Sequence, residues 1–206
     1  MAPKIVDKEA RRQAILAAAA SVFAKFGYQR ATIDQIAEAA GVAKGSVYLS
    51  FASKEDLFYA LFENFAQEAI SSEGSPASPG GASAVTRVEE IICSVAEMIE
   101  ANEIIFPLTL EFWSVCGVEQ TRDRFGRKSA ELFAEFRDRI VRILKEGQDR
   151  GEVAKDAPLI EIASCVMSMI DGLLVQQWTD PNVSMSKTLR TALPVLLGSI
   201  RGDEHD

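Results

Sequence analysis

Apolar residues recur at helical spacing along most of the chain, and no stretch shows the strict alternation that is typical of a strand. The pattern is most informative over residues 31–57. Ile33 and Ile36 form an apolar stripe on one short predicted helix, and Val47 and Phe51 form the matching stripe on a second. The pattern therefore predicts two short helices joined by a tight turn, followed by a third, longer helix.

Helix-capping residues stand at the ends of these predicted helices. Thr32 precedes the first helix and Gln35 follows three residues later, which is the spacing of a capping box. Gly41 stands where the chain must turn, and glycine adopts a left-handed backbone without steric cost. Ser53 and Asp56 repeat the capping spacing at the start of the third helix. These features together predict a helix-turn-helix whose second helix faces outward.

The outer side of the second helix carries small and polar residues. They are Lys44, Gly45, Ser46, Tyr48 and Ser50. Such groups can approach a phosphate backbone or the edge of a base. The pattern alone leaves a second interpretation open, because short amphipathic helices around a glycine also occur in helical proteins that do not bind DNA.

The remaining residues also follow a helical pattern, so the predicted fold class is all-α. The N-terminal helix-turn-helix domain has three helices, and a larger helical domain follows it. The stretch 71–84 is rich in Ser, Gly, Pro and Ala and is predicted to be a flexible loop. We expect the DNA-binding domain over residues 1–53, a connecting helix and loop over 54–84, and the C-terminal domain over 85–206. The other predicted helices span residues 7–26, 54–70, 85–101, 108–116, 118–148, 158–178 and 186–200.

Charge is distributed unevenly between the two parts of the chain. The net charge is -8, which at first sight disfavours nucleic acid as a partner. Residues 1–58 carry 8 Lys and Arg against 6 Asp and Glu, a net charge of +2, and the remaining residues carry 14 against 24, a net charge of -10. A mildly basic N-terminal part on an acidic body is compatible with DNA binding at one end, although a two-charge excess is weak evidence.

Several spacings in the first 60 residues match one known family. The residues are Ile36-Ala37, Ala40-Gly41-Val42, Gly45, Tyr48, Phe51, Ser53-Lys54-Glu55 and Leu57, preceded by Phe23, Phe26-Gly27-Tyr28 and Ala31-Thr32. This segment closely resembles the DNA-binding domain of TetR-family transcriptional regulators. Two positions depart from the common pattern: Ala43 stands where a Ser or Thr is frequent, and Ser50 stands where a His is frequent.

The resemblance implies roles for six residues of the helix-turn-helix. Thr32, Ser46, Tyr48 and Lys54 are expected to contact phosphates and to set the register on double-stranded DNA. Lys44 and Gly45 are the candidates for reaching bases in the major groove, because a lysine suits the edge of a guanine.

The last two predicted helices carry more apolar residues than one buried face requires. The helix over 159–178 is apolar nearly all round, so it must be buried on both sides, either inside the protein or against a partner subunit. The resemblance implies a homodimer that uses these two helices. The predicted interface residues are Ile160, Met167, Ile170, Leu174, Leu189, Leu193, Leu196 and Ile200.

Soft and aromatic side chains concentrate in the middle of the C-terminal domain. The resemblance implies a ligand-binding and dimerisation domain here, with a pocket for a small-molecule effector whose occupancy alters the spacing of the two DNA-binding domains. An aromatic stripe at helical spacing is also typical of ordinary core, and this alternative stays open. The candidate pocket residues are Met98, Phe106, Phe112, Trp113, Cys116, Phe133, Met167, Asp171 and Trp178.

Other classes of function find little support in the sequence. The only histidine is His205, near the end of the chain, so His-based catalysis and His metal ligation are not expected. There is no phosphate-binding loop, nucleophile elbow or CxxC pair, so we expect no enzyme, cofactor or metal. Three scattered cysteines, no signal peptide and no apolar run of about 18 residues favour a cytoplasmic protein with no membrane partner.

Together these observations predict a homodimeric transcriptional repressor. It is expected to be released from a palindromic operator by a small apolar or aromatic ligand. The alternative is a helical adaptor that binds only protein, and an activator is not excluded.

Overall fold

A computed structural model describes residues 4–71, 81–116 and 119–202. Within these ranges the chain forms nine α-helices and no strand, apart from an isolated antiparallel bridge between Val153 and Arg201. The helices are α1 (Lys4–Arg30), α2 (Ile33–Ala39), α3 (Lys44–Ser50), α4 (Lys54–Ser71), α5 (Ala84–Glu100), α6 (Ile105–Cys116), α7 (Glu119–Asp149), α8 (Leu159–Thr179) and α9 (Met185–Gly198). The predicted all-α fold is thus confirmed.

The helix boundaries differ from the predicted ones mainly near glycine and proline. Gly27, expected to end α1, has a φ of 75° and breaks the helical backbone, but one further turn follows up to Arg30. Helix α6 begins at Ile105, two residues before Pro107, because proline is tolerated in a first turn where its missing N–H would have no helical partner. Most of the predicted flexible loop, residues 72–80, lies outside the described residues.

The contacts divide the chain into two compact units. One unit, here called the head, comprises residues 1–67 and 107–127; the other, the body, comprises residues 68–106 and 128–206. This division differs from the predicted boundaries at 53 and 84, because most of α6 belongs to the compact unit of the helix-turn-helix although it follows α5 in the sequence.

The head has its own aromatic core. Phe58 of α4 is fully buried and lies with its ring centroid 5.0 Å from Phe23 and 4.7 Å from Tyr28. Phe62 of α4 and Phe112 of α6 lie with centroids 4.1 Å apart and their ring planes tilted by 31°, so α6 joins this core through an aromatic contact. Phe23 and Phe58 have no exposed surface. Their contact therefore holds together α1 and α4, the helices that precede and follow α2 and α3 in the chain.

The body core is formed by residues of α5, α7, α8 and α9. Ile92, Leu144, Leu189 and Leu193 are fully buried within it. Gly147 of α7 packs so closely that an added Cβ would overlap Ala84 of α5. Polar contacts join the helix ends, and the carboxylate of Glu152, for example, accepts the backbone N–H of Ala84 at 2.7 Å.

Helix α8 is strongly apolar. It has 21 residues and, by length and composition alone, it is apolar enough to cross a membrane, although a core helix of a soluble protein passes the same test. Its Ala163, Val166 and Ile170 are buried in the body core. The apolar character of this face is explained by packing inside the protein.

Candidate nucleic-acid interface and associated sites

Short-range hydrogen bonds shape the helix-turn-helix as the capping residues predict. Thr32 accepts the backbone N–H of Gln35 at 3.3 Å, and the Gln35 side chain accepts the backbone N–H of Thr32 at 2.9 Å. At the other end of α2, Gly41 has a φ of 66°, and the N–H of Val42 donates to the Ala37 carbonyl at 3.0 Å. The capping box and the left-handed glycine therefore set the angle at which α3 leaves α2.

Helix α3 presents an outer surface on which Lys44 is the one charged side chain. Its Val47 is fully buried, whereas Tyr48 is 49% exposed and Leu49 is 86% exposed. Gly45 is exposed, and an added Cβ there would meet nothing within 4 Å. Ala43, at the N-cap, makes no side-chain capping bond, in agreement with the departure noted in the sequence. Leu49 was missed as a candidate because it is apolar, although its position two residues after the buried Val47 would have shown that it faces outward.

The ammonium of Lys44 is paired within the head. It lies 2.8 Å from the Asp34 carboxylate on α2, and both side chains are exposed. The hydrogen bond to Asp34 raises the pKa of Lys44, so the side chain stays protonated. Reaching a guanine edge, as predicted for Lys44, requires the ammonium to leave this ion pair.

Lys54 holds the end of α1 to the start of α4. Its ammonium donates to the carbonyls of Tyr28 at 2.8 Å, Ala31 at 3.1 Å and Gln29 at 3.3 Å, and it lies 4.5 Å from the centroid of the Tyr28 ring. Burial lowers the pKa of Lys54 and Glu55 opposes this shift. The three N–H donors of this side chain are matched by three carbonyls, so Lys54 stabilises the fold. Its contact with a DNA phosphate stays a prediction.

Arg12 also binds a backbone carbonyl, at the C-terminal end of α3. Its guanidinium donates to the Ser50 carbonyl at 3.2 Å and lies 4.4 Å from the centroid of the Phe51 ring. The structure places this side chain against the C-terminus of α3, where a cation is favourable.

Glu111 of α6 touches the point where α1 breaks. Its carboxylate accepts the backbone N–H of Tyr28 at 2.8 Å, and one oxygen lies 2.9 Å from the position of an added Cβ at Gly27. The positive φ of Gly27 turns this N–H out of the helix ladder, and the absent side chain gives the carboxylate room. Glu111 directly precedes the predicted pocket residues Phe112 and Trp113 in the sequence, and the structure places it in the head.

The candidate pocket residues divide between the two units. Phe112 and Trp113 belong to the head, and Phe112 is buried against Phe62. In the body, Phe106 stacks on Trp178 with centroids 4.4 Å apart, and burial raises the pKa of the Asp171 carboxyl. The Cys116 side chain lies outside the described side chains. Met98, Met167 and Asp171 are half-buried in the body, and Phe133 and Trp178 are exposed there.

The predicted interface residues also separate into two groups. Leu189 and Leu193 have no exposed surface, and Ile170, Leu174 and Ile200 are at most 9% exposed. A side chain already buried inside the protomer has no surface to lose to a partner subunit. These five residues belong to the body core, whereas Ile160 and Leu196 are exposed and Met167 is half-buried. The dimer interface itself stays a prediction.

Two sequence families match most of the chain. Residues 15–61 match the family described as bacterial regulatory proteins, tetR family. Residues 85–199, more than half of the chain, match the family described as BetI-type transcriptional repressor, C-terminal. The chain belongs to the TetR family. It is accordingly a transcriptional regulator with an N-terminal DNA-binding helix-turn-helix, and not an enzyme.

Individual TetR-family proteins agree with this assignment. The chain is 28% identical over 178 residues to the uncharacterized HTH-type transcriptional regulator YfiR of Bacillus subtilis, covering 84% of each chain. The fold matches the FadR regulator of Bacillus subtilis, solved in complex with stearoyl-CoA, with a TM-score of 0.77 at 23% identity over 91% of this chain and 98% of that one. The SmeT–triclosan complex gives a TM-score of 0.79 at 20% identity over 95% and 93% of the two chains.

Proposed function

We propose that this TetR-family protein is a homodimeric repressor that acts in the cytoplasm on a palindromic operator. The outward surface of α3 carries the proposal: a buried Val47 fixes the helix, and Tyr48 and Leu49 extend away from the core. A two-fold dimer would present two such helices to successive major grooves about 34–36 Å apart. The description of the C-terminal match as a repressor supports repression over activation.

The outer faces of α8 and α9 support a dimer and revise its predicted residues. Cys165, Ser168, Gly172 and Val175 lie on one exposed face of α8, and none of them is charged. Thr188, Thr191 and Val195 form the corresponding exposed face of α9. Small, uncharged residues on two packed helices allow a second copy to approach closely, whereas an ordinary solvated face carries charged residues.

Gly172 provides a direct test of the dimer. An added Cβ there meets nothing within 4 Å in the protomer, so Gly172→Arg leaves the folded monomer intact but places a bulky charge on the proposed interface. We expect the variant to sediment as a monomer at concentrations where the unmodified protein is a dimer. Gly126→Arg is the matched control, since Gly126 lies on α7 and its Cβ position is equally open. Dimers that persist in Gly172→Arg would contradict this interface.

The ligand is proposed to be a small apolar or aromatic molecule. The Phe106–Trp178 stack and the half-buried Met98 and Met167 supply apolar and polarizable surface in the body. Stearoyl-CoA, bound by one similarly folded regulator, carries a long apolar acyl chain on a charged nucleotide part, and triclosan, bound by the other, is aromatic. The ligand favours dimers whose heads do not fit the operator, so that ligand and DNA each weaken the binding of the other.

Selection of bound duplexes from a random pool tests the proposal as a whole. Purified protein at a stated salt concentration is expected to enrich a palindrome with half-sites spaced for a two-fold dimer. Candidate ligands are then screened by release of that duplex. Failure to enrich any sequence at low salt would contradict operator binding and would favour the helical adaptor.

Lys44 is predicted to contact a base and Lys54 a phosphate, and the test of this division needs a control for protein stability. Lys44→Ala is expected to relax sequence preference at one base pair, and Lys54→Ala to weaken all sites about equally. Because Lys54 holds three backbone carbonyls, its variant must be compared at equal fractions of folded protein. Equal behaviour of the two variants after that correction would contradict the division.

A further inference from the structure

Leu49 is the most exposed apolar residue of α3, the second helix of the helix-turn-helix. At 86% exposure it is the most exposed large hydrophobic side chain among the described residues. It follows the buried Val47 by two residues, which places it about 200° round the helix, nearly opposite the core. Gly45 lies one turn before it on the same side and contributes no side chain, so Leu49 projects from the helix without a neighbour on that ridge.

The charged groups around this ridge are engaged elsewhere in the head. Lys44 pairs with Asp34 at 2.8 Å, and Lys54 is held by the carbonyls at the end of α1. Arg12 donates to the Ser50 carbonyl at the C-terminus of α3. Gly45 and Leu49 themselves carry no charge, and an apolar group in the major groove discriminates bases through the thymine C5-methyl group.

We propose that Leu49 reads a thymine C5-methyl group in each half-site of the operator. This assignment rests on the proposed binding to a palindromic operator. It makes Leu49 a specificity-determining residue, and it predicts a thymine at the base pair that faces the Gly45–Leu49 ridge. Loss of the methyl group and loss of the leucine side chain remove the same contact from opposite sides.

Removing one thymine methyl group at a time from the DNA tests the contact. Each thymine of the selected operator is replaced in turn by deoxyuridine, symmetrically in both half-sites, which removes only the methyl group. We expect one position to weaken binding by about fourfold per half-site, the effect of about one buried methyl or methylene group. Substitutions at the other thymines are expected to have smaller effects.

The Leu49→Ala variant completes a double-mutant cycle. Its affinity for the unmodified operator should fall by at least the same factor, and its binding should no longer change when deoxyuridine replaces the critical thymine. The side chain is exposed, so the variant should keep the helical circular dichroism spectrum and unfolding midpoint of the unmodified protein. Leu110→Ala, which truncates another exposed leucine of the head, on α6, should retain the full deoxyuridine effect.

The outcomes separate this inference from the proposed function. A protein that enriches no duplex overturns operator binding and the Leu49 contact together. A protein that binds a palindrome without any deoxyuridine-sensitive thymine overturns only the Leu49 contact. The same holds if Leu49→Ala keeps the full deoxyuridine effect, because the methyl group would then be read by another residue or through the shape of the DNA.

Discussion

The helix-turn-helix and the body differ in the sequence separation of the contacts that shape them. In the helix-turn-helix, Thr32 and Gln35 are three residues apart, and so are Ser53 and Asp56. In the body, Glu152 accepts the N–H of Ala84 from 68 residues away, and the partners Glu100 and Ser186 are 86 residues apart. Local contacts leave a spacing in the sequence that can be recognised, whereas distant contacts leave none.

The same difference applies to surfaces. On the short helix α3, Val47 is the buried residue, so the outward side of the helix follows from its position. On α8 and α9, many apolar residues occur on several faces, and only the packing against α5 and α7 decides which face is core. A motif can thus identify a DNA-binding surface, while a dimer surface depends on knowing what the rest of the protomer covers.

The largest effect is expected from truncating the centre of the head core. Phe58→Ala removes a fully buried ring that contacts Phe23 and Tyr28, and it should lower the free energy of unfolding by about 3–5 kcal/mol. Denaturant titration measures the loss. Leu49→Ala truncates an exposed side chain in the same unit and should change the stability by no more than about 0.5 kcal/mol. Similar losses in the two variants would contradict the assignment of core and surface in the head.

A smaller effect tests the distant packing of the body. Gly147→Ala places a Cβ against Ala84 and 2.8 Å from Val153, and this overpacking should destabilise the protein by about 1–3 kcal/mol. Gly126→Ala on the same helix α7 meets nothing within 4 Å and should stabilise it by up to about 1 kcal/mol through helix propensity. Chemical denaturation of both variants is the measurement, and effects of the same sign would show that α5 does not approach α7 at Gly147.

These expectations show how much could be predicted from sequence. The all-α fold and the capping box were predicted because helical periodicity and local spacing encode them. The burial of Leu189 and Leu193 inside the protomer could not be predicted, since the partner of their apolar stripe is the distant helix α5. The structural role of Lys54 was missed because its carbonyl partners are 23 to 26 residues away.

The non-local lysine contact in the head gives the next prediction. Lys54→Met keeps most of the aliphatic side chain but loses the hydrogen bonds to Tyr28 and Ala31, so the protein should lose about 1–2 kcal/mol of stability. Lys8→Met removes an exposed lysine on α1 and is the matched control for net charge. The unfolding midpoint and the operator affinity are measured together. A Lys54→Met protein of unchanged stability but weakened DNA binding would contradict the stabilising role and would support the predicted phosphate contact.

The smallest expected effect is a change in acid sensitivity of the body. Glu100 accepts the backbone N–H of Ser186 at 3.1 Å and the hydroxyl of Ser184 at 3.2 Å, at the start of α9. Burial opposes ionisation of this carboxyl, but the hydrogen bonds from Ser186, Ser184 and Met185 outweigh it and lower the pKa of Glu100. The ionised form is therefore favoured in the folded state.

A carboxyl whose pKa is lower in the folded than in the unfolded state stabilises the protein above its unfolded pKa. That contribution is lost as the pH falls below the ordinary glutamate value of 4.5 and through the folded pKa. Glu100→Gln should therefore flatten the dependence of unfolding free energy on pH in this acidic range, measured by urea titration at several pH values. Glu103→Gln removes the same formal charge from an exposed position three residues later and controls for net charge. If Glu100→Gln and the unmodified protein lose stability in parallel on acidification, the distant contact between Glu100 and the start of α9 does not contribute to the stability of the body.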